Sequence, residues 1–161
     1  MHPVTVGALF VLQIFHVLFL SLHDWIPLGK LNDPKAVRAT IPPHKLLAAT
    51  LISTAPFAFG LAASAVYLGK PYPRWLLLWI GISYAILFVG ELEAWWIPYL
   101  FRLQPERAAR YQAMFGGTHA FLPVHNGIRP NTLHVILHAG TFAILGVLAV
   151  MLMQQGRVKF W

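Results

Sequence analysis

Four stretches of the chain are predominantly apolar and long enough to be membrane spans. They cover residues 4–22, 46–68, 75–100 and 132–153. Each can cross a hydrocarbon core of about 30 Å, which takes about 20 residues of helix. Between Arg74 and Glu91 no side chain is charged. Proline and glycine punctuate the joins at Pro27–Gly29, Pro42–Pro43, Pro71, Pro73, Pro123 and Pro130. Inside the spans, Pro56 and Pro98 each remove a backbone donor and are predicted to kink their helices. The long connection 102–130 carries an amphipathic pattern over 105–115, predicted as a short helix lying at the interface. The pattern gives an all-α integral membrane protein, a four-helix transmembrane bundle forming a single domain over 1–161.

Composition sharpens this. Of 161 residues, 58% are hydrophobic and 11% charged, against about 25% charged in soluble domains; the mean hydropathy is +0.63. The absence of cysteine excludes disulfides, thiolate metal sites and S-acylation. The N-terminal stretch lacks a basic leader and a small-residue cleavage site, so it is expected to stay as the first span. The net charge of +7 sits in short loops between apolar runs, a pattern of membrane topology rather than nucleic-acid binding. Lys30, Lys35, Arg38, Lys45, Arg102, Arg107, Arg110 and Arg129 lie in two connections on one side. Lys70, Arg74, Arg157 and Lys159 lie on the other. The imbalance predicts cytoplasmic long loops and outside termini, and the lack of a eukaryotic retention signal points to a bacterial inner membrane.

Polar residues inside the spans are expensive; a lone one more often ties two helices together, whereas their coincidence in depth across four helices marks function more often than structure. Span one carries His16, then His23 and Asp24 at its loop end; span two carries Thr50, Ser53 and Thr54; span three carries Glu91 and Glu93; span four begins with Asn131, His134 and His138. At 1.5 Å per residue these groups fall in one layer about 12 Å deep. His16 and His23 are seven apart and share a helical face, as do His134, His138 and, further on, Thr141. Tyr84, Phe88, Glu91 and Trp95 form a stripe on span three. Regular helical spacing turns Glu93 and Trp96 away, toward a headgroup, Arg102 or an interfacial belt.

Three chemistries suit this set. A desolvated glutamate can donate a proton and a neighbouring imidazole accept one, while aromatic faces hold a cation. That combination suits an isomerase acting on a lipophilic alkene, with Glu91 as donor, His134 or His138 of span four as acceptor, and His16 as a further catalytic residue. His23, Asp24, Tyr84, Trp95 and Thr50 would surround the ligand, with Arg129 and Asn131 at the mouth. No cofactor is needed for it. Alternatively His16, His23, His134, His138 and Glu91 hold zinc, iron or haem. A third reading is a non-catalytic subunit whose polar layer binds a lipid or a membrane partner, another copy included.

Three stretches, "FHVLFLSLHD", "STAPFAFGLAASAVYLGK" and "IRPNTLHVIL", resemble spans one, two and four of the EXPERA family, four-span proteins that include the emopamil-binding sterol isomerases and the sigma-2 receptor. The resemblance implies a pocket opening to the bilayer for sterols or lipophilic amines, with Asp24 as the ammonium-pairing acid. The family's second-span acid is replaced here by Thr50, and the intramembrane acids stand on span three. The outside termini expected from the charge count also differ from the cytosolic termini usual in that family.

Overall fold

A computed structural model describes residues 3–102 and 104–157; Lys159 of the charge count lies outside the described residues. The elements are α1 (Pro3–Leu22), α2 (Pro34–Thr40), α3 (Pro43–Val66), α4 (Arg74–Glu91), a π-helical turn (Leu92–Trp96), α5 (Ile97–Leu100), α6 (Pro105–Phe115) and α7 (Thr132–Arg157). Four helical stretches are long and apolar enough to cross a membrane: α1, α3, the continuous run from α4 through α5, and α7 to Gln154. The protein is an all-α integral membrane protein.

The spans pack as a ring. α1 neighbours α3 and α7, and α4 closes the ring against the same two. Each helix therefore runs antiparallel to its neighbours, while α1 and α4 face each other across the diagonal. The apolar core is built from Leu9, Leu76, Ile80, Ile144, Leu148 and Met151 near the end of the bundle that holds the N-terminus. Val11, Ile52, Ile86 and Phe142, one on each span, point outward and are exposed. With lipid as solvent these residues need no cover, because helices already satisfy their own backbone groups.

α3 continues through Pro56, whose carbonyl accepts from the Trp79 indole at 3.0 Å. On the loop side, α2 and α6 lie against each other, packing Val37 and Met114 with Leu46 of α3. The amphipathic pattern over 105–115 is indeed α6, whereas α2 is an addition to the elements expected from the sequence. Its signal is Asp33 before Pro34: the Asp33 carboxylate accepts from the Lys35 and Ala36 N–H groups, and proline fills the first helical position. Asp33→Ala is expected to cost about 1 kcal/mol, read as a small drop in unfolding temperature; an unchanged temperature would show that packing on α6 alone holds α2.

Candidate functional site

Third-span geometry departs from a regular helix immediately after Glu91. Pro98 has no N–H for the Ala94 carbonyl, and the Ile97 N–H reaches back five residues to Leu92, leaving the Glu93 carbonyl free as well. Both carbonyls are taken by α6. Arg107 donates to Glu93 O at 2.6 Å and to Ala94 O at 3.2 Å, and the Tyr111 hydroxyl donates to Ala94 O at 2.9 Å. Burial raises the Tyr111 phenol above its ordinary range, opposed by the charges of Arg107 and Arg110, so this hydroxyl keeps its proton for the bond. A single widened turn of this kind recurs at functional sites.

The extra residue in the turn re-aims the two tryptophans. Trp95 stays inside, its ring 4.4 Å from Tyr111 and 4.5 Å from His134. Trp96, expected from regular spacing to turn away, instead donates its indole N–H to His138 Nδ1 at 3.0 Å. Glu93 is exposed, and it is its backbone carbonyl, held by Arg107, that makes the contact toward α6. The expected Glu93–Arg102 pair is not among the ion pairs of the described residues.

Three spans meet at the next layer. Thr141 donates to Glu91 Oε1 at 2.7 Å, and its hydroxyl lies 3.1 Å from His16 Nε2. His16 Nδ1 lies 2.9 Å from the Leu12 carbonyl, which can only accept, so Nδ1 carries a proton. All three side chains are buried, with Glu91 only 5% exposed. Tyr84 packs its ring edge-on to His16 at 5.2 Å. Glu91 Oε2, the Tyr84 hydroxyl and both polar atoms of Gln13 are buried without a hydrogen-bond partner.

A hydroxyl has one proton, and that constrains the chain. If Thr141 gives its proton to Glu91, then His16 must donate through Nε2, and the ends are carboxylate and imidazolium. If Thr141 gives its proton to His16 Nε2, then Glu91 must be the acid and donate to Thr141. The two forms hold the same protons and the same zero net charge. They differ by moving one proton between Glu91 and His16 through a hydroxyl. The Leu137 carbonyl, 3.2 Å from the same hydroxyl, is the longest of the competing contacts.

Toward the loop side lies a second group. Asn131 Oδ1 accepts from the His134 backbone N–H at 3.0 Å and from His134 Nδ1 at 2.6 Å. Its amide nitrogen donates to Thr118, whose own hydroxyl proton goes to Phe115 O. This fixes the amide orientation and puts the His134 proton on Nδ1, leaving Nε2 as the basic nitrogen. His138 is the opposite tautomer: its Nδ1 accepts from Trp96, so its own proton is on Nε2. His23 Nδ1 donates to Phe19 O at 2.9 Å, and its Nε2 lies 3.4 Å from Asp24. Burial pushes the Asp24 carboxyl above its ordinary range, partly opposed by His23.

Other expected residues take different places. Thr50 accepts from the Trp25 indole at 3.1 Å and lines a groove of about 480 Å³ between α1 and α3, on the outside of the bundle. Asn131 is buried and positions His134 rather than standing at a mouth. Arg129 donates to Gly116 O at 3.4 Å, a tie within the 102–130 connection. The grooves along α3 take in Thr50, Ser53 and Thr54 but none of the histidines or acids of the polar layer, whose rings pack on one another. Among the described residues no three His, Asp or Glu side chains gather to hold a metal ion; His16, for instance, has both ring nitrogens engaged.

No family model, no curated protein and no solved structure matches the chain.

Proposed function

We propose that this integral membrane protein transfers protons to and from a lipophilic ligand, with Glu91 as the acid and His134 as the base. The observation that carries the reading is the buried Glu91–Thr141–His16 chain, which joins three spans at one depth. A carboxyl group inside a membrane bundle is costly, and a hydroxyl bridging it to an imidazole gives it a protonated form without net charge.

The reaction class that fits is a double-bond shift. Glu91 gives its proton to one alkene carbon, leaving a carboxylate and a carbocation on the ligand. The faces of Trp95 and Tyr84 stabilise that cation. His134 then removes a proton from the carbon next to the cation, the C–H electron pair forms the new double bond, and no oxidant or cofactor is consumed. Asn131 keeps the resident proton of His134 on Nδ1, so Nε2 is the atom that takes the new one. The EXPERA resemblance points to the same class of ligand, with the acid carried on the third span instead of the second.

The test uses lipid that co-purifies with the full chain. Incubation in D2O should place deuterium on a carbon of that lipid, read by mass spectrometry. Glu91→Gln should lower the rate about 100-fold or more, the usual contribution of a general acid. Lipid that stays unlabelled with the unaltered protein sinks the reading.

A further inference from the structure

We propose that Glu91 exchanges its proton with the aqueous phase on the loop side, through Asp24 and His23, then His134, then His138, with Trp96 as the gate on the last step. The inference rests on the acid–base reading of Glu91 and adds how the site is reset.

The three histidines are held in two different ways. His23 Nδ1 donates to Phe19 O and His134 Nδ1 to Asn131 Oδ1, so on each the nitrogen open to a further proton is Nε2. His138 already carries its proton on Nε2, and the nitrogen that could take a second is covered by the Trp96 indole. It becomes a relay only when that indole moves away. The rings follow in series: His23 to His134 is 5.9 Å between centroids, and His134 to His138 is 6.2 Å. Separations of this size suit transfer through one water or a small ring movement rather than direct contact. His138 stands one turn before Thr141, which holds Glu91.

The loop-end members are partly exposed and the inner members are buried. The Asp24 and His23 side chains are 21% and 16% exposed, His134 is half-buried, His138 and Glu91 are 5% exposed, and Thr141 and His16 are fully buried. Beyond His16, toward the N-terminal end of α1, the interior becomes Leu9, Leu76, Ile80, Ile144, Leu148 and Met151, interrupted by Gln13 and Ser64. A polar ladder on one side and an apolar plug on the other give the acid one aqueous face.

The experiment is infrared spectroscopy of the full chain in phospholipid bilayers, following the carboxylic-acid carbonyl band after a jump into D2O. Loss of the band in Glu91→Gln assigns it. His134→Phe and His138→Phe should each slow its deuterium shift by about tenfold or more, the scale of one lost proton-transfer group. Trp96→Phe, which keeps every histidine but uncovers His138 Nδ1, should speed it by a similar factor. That gain should vanish when His138→Phe is added; a gain that persists in the double variant comes from loosened packing and overturns the gate. Glu93→Gln should leave the rate unchanged. If the band is absent from the unaltered protein or survives Glu91→Gln, the acid–base reading itself falls. If the band belongs to Glu91 and its exchange ignores His134, His138 and Trp96, the route alone is overturned; slowing by Gln13→Leu instead would put access on the opposite side.

Discussion

Gly140→Ala should break the link between His16 and Thr141. A methyl group at Gly140 would lie 2.8 Å from His16 Cε1 and 3.2 Å from the Phe15 ring. His16 has no room to retreat: it is fully buried, edge-on to Phe15 at 5.3 Å and to Tyr84 at 5.2 Å. Forcing one methyl into a packed interior costs about 1–3 kcal/mol, so the unfolding temperature in detergent should fall. The more telling readout is the proton on Glu91. Thr141→Val removes the hydroxyl at constant shape and leaves both ends of the chain unpaired, at about 1–3 kcal/mol for each buried orphan. If the two variants disturb the Glu91 carboxyl band alike, the glycine serves the hydrogen-bond chain; if Gly140→Ala lowers stability and leaves the band as it was, the glycine serves packing only.

The spans are legible in the sequence because lipid demands long uninterrupted apolar helices, and only their ends shift by a few residues. α6 is legible from its amphipathic pattern over Pro105–Phe115. Depth is legible as well: Glu91, His16 and Thr141, on three different spans, meet at one level. Azimuth is not. Thr50 has the depth of the site and yet faces Trp25, because a residue's level along a helix says nothing of its direction around it. Trp96 escapes for a different reason. Regular spacing from Glu91 assumes a constant turn, and the π turn inserts one residue at that point. Pro98 is the available signal, since its missing N–H must orphan the Ala94 carbonyl, and the side chains that answer it arrive from Arg107 and Tyr111.

Arg107→Ala combined with Tyr111→Phe should release the π turn, and its effect should exceed that of either change alone. The pair supplies three hydrogen bonds to two carbonyls that the span cannot satisfy itself. An unpaired carbonyl at the edge of the hydrocarbon core costs about 1–3 kcal/mol, and two of them are enough to favour another local geometry. The single changes leave one partner at Ala94, so the double change removes the support that either alone preserves. Hydrogen exchange should show faster exchange in α6 and around Leu92–Trp96, with the rest of the bundle protected. Trp96 carries the effect into the site: a turn that relaxes draws its indole off His138 Nδ1 and uncovers the nitrogen that can take a second proton. The deuterium shift of the Glu91 carboxyl band should then quicken together with the loss of protection in α6. Faster exchange in α6 with an unchanged Glu91 shift would mean that α6 merely covers the third span, and that the widened turn holds Trp96 against His138 without its help.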